Sequence, residues 1–258
     1  MKYKLSIISL LVISALLLGC AHTENVFRDT DCAQSDEDGK ASGAIAGETP
    51  DMGEGYVDSF IFFGESTTYH LKDRGVLKEG RETKQVWAPR SGTVNLDATV
   101  SDVQIVYPQT GELMSIGDAI RISQPQRILL TFGLNGAVEK IKRGEKYFKA
   151  CYKSLIDTVR ANSPETKIIL QSCFPISPSM DMSNYTVDAY TLNGYIDRIN
   201  GWTLSLAEET EVCYLDTASV MKDDRGFLQS RFDVGDGHHL TRDAYLCMLE
   251  YLRTHGVT

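Results

Sequence analysis

Three short stretches of this chain carry side chains that could do chemistry at an ester or similar centre. Ser66 stands in Gly64-Glu65-Ser66, Asn135 in Gly133-Leu134-Asn135, and Asp236, His238 and His239 in Asp236-Gly237-His238-His239-Leu240. A serine hydroxyl is a poor nucleophile at neutral pH. It becomes a useful one when an imidazole takes its proton during attack and an acceptor fixes that imidazole in a single tautomer. Asp236 and His239, three residues apart in a turn, can make this second contact. Asp216, after a strand, is a rival carboxylate that reads more simply as a turn residue. His238 competes with His239, and an aspartate with two histidines could also suggest a metal site. No His-Glu-x-x-His motif or second ligand cluster accompanies them, so no metal and no cofactor are expected.

The elements around these residues read as an alternation of strands and helices. Phe60 to Phe63 is an apolar run stopped by Gly64, the pattern of a strand buried on both faces, with Ser66 at the turn into a helix through His70 to Lys72. Thr67 and Thr68 offer cap chemistry for that helix, and His70 is expected at an exposed helix position. Lys84 to Ala88 is a second strand, followed by the loop Pro89-Arg90-Ser91-Gly92-Thr93. Val103 to Tyr107 and Leu113 to Ile116 flank a hairpin-like turn, and a short helix starts at Asp118. Arg127 to Thr131 and Lys167 to Gln171 are further buried strands. Between them, Tyr147, Phe148, Cys151, Leu155, Ile156 and Val159 line one face of a helix over Gly144 to Ala161. Val187 to Leu206 reads as a long helix with a bend near Gly201, Val212 to Leu215 as the last strand, and Arg242 to Thr254 as the closing helix. At least four alternations imply an α/β fold, a three-layer, flavodoxin-like arrangement whose mainly parallel sheet has helices on both faces. Ligands of such sheets bind at the carboxyl ends of the strands, where Ser66 and Asn135 fall.

Taken together, the three motifs, in this order and in this structural context, resemble the SGNH/GDSL hydrolase family over about residues 56 to 255. The resemblance implies that Ser66 is the nucleophile, His239 the general base, with His238 left in the rim, and Asp236 the orienting carboxylate. It also implies an oxyanion hole made by the Ser66 amide, the side-chain amide of Asn135 and the amide of a glycine, for which Gly92 is the best match. Two positions depart from the common pattern: Glu65 stands where aspartate is usual, and Gly136 where aspartate usually follows the asparagine. Neither belongs to the triad. They bear on substrate preference and on how the turns are braced.

Residues 1 to 20 bear on location. Lys2 and Lys4 precede an apolar run from Leu5 to Leu18 that is too short for an ordinary membrane span, and Leu17-Leu18-Gly19-Cys20 resembles the lipobox of bacterial lipoproteins. That resemblance implies a signal peptide over residues 1–19 and a lipidated Cys20 at the extracytoplasmic face of the cell membrane, each acyl chain contributing ~0.8 kcal/mol per buried methylene. Residues 20–55 carry the lipidated cysteine and read as a flexible tether, poor in large apolar side chains. Residues 56–258 form the hydrolase-like domain, and 42% hydrophobic content supplies a core for one such unit. Export puts Cys32, Cys151, Cys173, Cys213 and Cys247 where disulfides are permitted, yet the last four fall in predicted helices or strands and read as small buried hydrophobes. A formal charge of −9 without a stripe of Lys and Arg argues against nucleic acid.

The expected activity is therefore removal of a small acyl group, acetyl above others, from an ester on a carbohydrate or glycan through an acyl-serine intermediate. An O-acyltransferase using the same triad, or a non-catalytic glycan-binding surface lipoprotein on a hydrolase scaffold, are the alternatives. The sequence does not specify the oligomeric state.

Overall fold

The computed structural model describes residues 43–257. Five strands, β1 (Phe60–Gly64), β2 (Val86–Trp87), β5 (Arg127–Thr131), β6 (Lys167–Gln171) and β7 (Cys213–Leu215), form one sheet in the order β2-β1-β5-β6-β7. Every pairing in it is parallel. A separate antiparallel pair, β3 (Gln104–Val106) and β4 (Leu113–Ser115), makes the expected hairpin. The central strands are apolar on both sides because both sides are covered. Alternate residues divide cleanly between two cores. Phe63, Leu130, Leu170 and Tyr214 face one core, with α3 (Ile116–Ser123), α4 (Ala137–Arg143), α5 (Glu145–Asn162) and α6 (Ala189–Thr210). Phe60, Phe62, Leu129, Ile169 and Leu215 face the other, with α1 (Glu54–Val57), α2 (Ser66–Asp73), α7 (Ala218–Met221) and α8 (Arg242–Thr254). The three-layer architecture is thus as expected.

Several local expectations change. Helix α2 begins at Ser66 itself with Glu65 as its N-cap, so Thr67 and Thr68 are buried first-turn residues rather than caps. Helix α6 runs unbroken through Gly201. Helix α4 was not anticipated, because Ala137–Arg143 is short and rich in charge. Residues 43–55, assigned to the tether by composition, pack on the domain. Ile45 bridges Tyr214 in parallel, the Ala46 amide donates to the Tyr214 carbonyl, and Ala44 and Ala46 are buried. Residues 1–42, which include the signal peptide, Cys20 and Cys32, lie outside the described residues. Among those described, Cys151, Cys173 and Cys247 are free thiols. Cys213 is disulfide-bonded, which corrects its reading as a mere small hydrophobe.

The carboxyl ends of the strands are tied together by polar side chains. The Thr131 hydroxyl donates to the Gln171 side chain at 2.7 Å, and Gln171 donates to Thr217 at 2.7 Å, all three buried. A β-carbon on Gly64 would lie 2.4 Å from the Thr131 carbonyl oxygen and 2.5 Å from the Thr68 hydroxyl. Only glycine lets the Glu65-Ser66 turn close onto the end of β5.

Candidate active site

Three loops meet at this rim. The Ser66 hydroxyl lies 3.2 Å from His239 Nε2, and His239 Nδ1 lies 2.7 Å from Asp236 Oδ2. Asp236 Oδ1 accepts from the amides of His238 at 3.1 Å and His239 at 2.9 Å. Burial pushes the Asp236 pKa upward, but the His239 amide, the His239 ring and the His238 amide outweigh it and hold the carboxyl well below the usual range. It is therefore ionised and can keep the His239 proton on Nδ1. That leaves the Nε2 lone pair facing the hydroxyl, the arrangement in which an imidazole can take a proton from an attacking alcohol.

The loop that carries this pair is built by Asp233, whose Oδ1 accepts from the Gly235 amide at 2.7 Å and the Gly237 amide at 2.9 Å. Gly237 adopts φ 87°, and a β-carbon there would meet Met180 Cα at 2.4 Å, so the loop lies flush on the 177–180 segment. It is latched to α2 from two sides. Arg74 Nε donates to the Leu240 carbonyl at 3.1 Å, and the Tyr245 hydroxyl of α8 donates to the Thr67 carbonyl at 2.6 Å. Asp233 was not singled out from sequence. The signal available was the Asp-Val-Gly-Asp-Gly run, which is turn chemistry as much as catalytic chemistry.

Glu65 proves to be the organiser of the second loop. Its carboxylate is buried beside Ser66, Oε1 accepts from the Gly133 amide at 2.9 Å, and Oε2 accepts from Leu134 and Asn135 at 3.0 Å each. Burial raises its pKa, opposed by the Lys140 charge and by these three amides. Lys140, also buried, donates Nζ to the Asn135 carbonyl. Gly136 takes the left-handed conformation at the N-cap of α4, and a β-carbon there would lie 3.7 Å from Lys140 Nζ. The two departures from the family pattern thus flank the Asn135 turn, Glu65 buried against its amides and Gly136 exposed at the start of α4.

The Asn135 side-chain amide donates one hydrogen to Thr93 Oγ1 at 2.9 Å, leaving a second N–H. The Ser66 amide is at the N-terminus of α2, where N–H groups have no intrahelical acceptor. Gly92 does not fit its expected part as simply. Its amide donates to the Pro89 carbonyl at 2.9 Å in a tight turn, and the loop's polar contact with Asn135 comes from Thr93 instead.

Two further imidazoles flank His239. His70, expected at an exposed position, is half-buried with its ring centroid 4.4 Å from that of His239, and its Nδ1 is buried without a hydrogen-bond partner among the described residues. Burial, then the His239 charge, lower its pKa. The His238 ring centroid is 4.0 Å from that of His239, and its Nδ1 lies 3.3 Å from the Asp236 carbonyl oxygen. Asp236, and not Asp216, is the carboxylate in contact with His239.

A separate cavity is lined by Ala44, Arg160, Lys167, Glu208 and Val212 among others, at the amino ends of β6 and β7. It is remote from the triad. The site geometry places the chemistry at the opposite, carboxyl rim.

Comparison with known proteins bears on the fold and the family. The chain resembles in fold a Streptococcus pneumonia protein provisionally described as a platelet activating factor, at 18% identity over 76% of this chain and 82% of that one, with a TM-score of 0.53. Weaker structural likenesses include the periplasmic domain of a lipopolysaccharide acetyltransferase from Salmonella ser. Paratyphi A, at 16% identity over 75% of this chain and 81% of that one with a TM-score of 0.49. Another is an acetylxylan esterase from Geobacillus stearothermophilus, at 15% identity over 77% and 94% with a TM-score of 0.42. The search of curated proteins gives no match. The model of the GDSL-like lipase/acylhydrolase family matches residues 62–246, from within β1 to within α8, and the chain belongs to that family of ester-hydrolysing serine enzymes.

Proposed function

We propose that the protein is an extracytoplasmic, lipid-anchored esterase that removes a small acyl group, acetyl above others, from a carbohydrate or glycan ester. One observation carries the catalytic part: the continuous contact from Ser66 through His239 to Asp236. Ser66 Oγ bonds to the acyl carbon as its proton passes to His239 Nε2. The carbonyl oxygen, now negative, is met by the Ser66 amide and the free N–H of Asn135. Collapse breaks the bond to the alcohol, which leaves with the proton from His239. Water, deprotonated by the same nitrogen, then releases the carboxylate and restores the serine.

Support for location comes from the Lys2, Lys4 and Leu17-Leu18-Gly19-Cys20 pattern, and from the disulfide at Cys213, which suits an oxidising compartment. A lipid-anchored chain at that face meets acylated glycans, which is the reason for the substrate class. The test compares release of nitrophenol from short-chain esters, and of acetate from acetylated polysaccharide, by the wild type and by Ser66→Ala. Loss of both activities in the variant is expected. Equal rates in the two proteins would remove the assignment, and transfer of the acyl group to an added sugar in place of water would turn it into an acyltransferase.

A further inference from the structure

His238 is not needed for the proton relay, yet it completes a set of ligands around it. One donor atom from each of Asp236, His238 and His239 lies within 4.8 Å of the others. His239 Nδ1 is 2.7 Å from Asp236 Oδ2, and His238 Nδ1 is 3.5 Å from Asp236 Oδ1. A tetrahedral zinc ion with ligands at about 2.0–2.1 Å spaces neighbouring ligands by roughly 3.4 Å, a spacing comparable to the separations among these three side chains. All three side chains are partly open to solvent, at 43% for Asp236, 31% for His238 and 22% for His239, which gives an ion a path in and room for water on its remaining position.

We propose that Asp236, His238 and His239 form an inhibitory site for a zinc-type dication, which switches the catalytic centre off by tautomer control. The ion is an inhibitor and not a cofactor. A bond from the metal to His239 Nδ1 uses the lone pair that becomes available when that nitrogen gives up its proton. In the neutral ring the proton moves to Nε2. Nε2–H then faces the Ser66 hydroxyl as a donor and has no lone pair to accept its proton, while Asp236 is engaged on the metal. The consequence for turnover rests on the catalytic reading above; the binding does not. Imidazole nitrogens favour zinc over magnesium, so the site discriminates between dications of equal charge.

The experiment has two arms. Zinc chloride is titrated calorimetrically into full-length Ser66→Ala and into the Ser66→Ala, His238→Ala double variant, with magnesium chloride as the control. Separately, zinc inhibition of ester hydrolysis is measured for the wild type and His238→Ala, each relative to its own metal-free rate, which also reports that the variant folds. Expected are one zinc bound per chain, inhibition reversed by a chelator, and an increase of about tenfold or more in the zinc needed for half-inhibition when His238 is absent. The same half-inhibiting concentration with and without His238, or equal inhibition by magnesium, would overturn the proposal. If zinc binds through His238 but no ester is cleaved even without metal, the site stands and the esterase assignment falls.

Discussion

Glu65→Gln is the most informative single change, because it preserves volume and exchanges one acceptor oxygen for a donor group. The native carboxylate takes three amide hydrogens, one on Oε1 from Gly133 and two on Oε2 from Leu134 and Asn135. Glutamine keeps one carbonyl oxygen and turns the other atom into a donor. The less costly orientation leaves the oxygen toward Leu134 and Asn135 and sets the NH2 against the Gly133 amide. The Gly133 N–H then faces another donor and loses its acceptor, which alone costs about 1–3 kcal/mol. For a domain of this size each kcal/mol lowers the melting temperature by about 2–4 °C, so a fall of roughly 2–12 °C follows. The same change pushes Gly133 away and tilts the loop carrying Asn135. Loss of one oxyanion donor outright costs ~10²–10³ in turnover, and misplacement costs less, so kcat should fall roughly tenfold to a hundredfold. Glu65 is buried behind Ser66 and does not reach a substrate, so KM should stay within about twofold. Steady-state kinetics on a short-chain nitrophenyl ester, beside thermal melts, read both numbers. Unchanged kcat and melting temperature in Glu65→Gln would refute the claim that this carboxylate holds the oxyanion loop.

Two other outcomes follow from the same geometry. Asn135→Ala should retain measurable activity at ~10²–10³ below wild type, since the Ser66 amide remains and only the side-chain donor is lost; a loss no larger than twofold in kcat would take Asn135 out of the cradle. Asp236 has a pKa lowered on folding, so its carboxylate contributes stability that is present above its unfolded value of about 3.9 and is lost as pH falls through the lower folded value. Melts of wild type and Asp236→Asn from neutral pH downward should therefore show a gap that is widest above about pH 4 and closes below it; a gap constant with pH would contradict the ionised pairing with His239.

Much of this was legible in the chain. Strands β5 and β6 are short apolar runs between polar ends, and such runs in a chain of alternating helices have few places to go but the middle of a parallel sheet. Ser66, Asp236 and His239 were identified by type, order and position at strand ends. What the chain concealed depends on partners distant in sequence. Lys140 carries no sequence signal of its own, yet it is buried and donates to the Asn135 carbonyl. Gly92 stands in the right loop, but the direction of its amide is set by a turn with Pro89. Residues 43–55 carry only Ile45 and Met52 as large apolar side chains, both exposed, yet two buried alanines and a few backbone bonds to Tyr214 suffice to place Ala44 to Ala46 on the sheet. Cys213 gave no spacing signal, because disulfide pairing is a property of the folded chain.

The added edge at Ala44 to Ala46 also sets a direction. It runs alongside β7 with the same polarity, so the polypeptide comes onto the domain at the amino end of that strand and travels toward the end where Ser66 and His239 meet. Gly43 thus sits by the amino ends of β6 and β7, and a pull applied there would load this edge of the sheet at the rim opposite the one that carries Ser66 and His239.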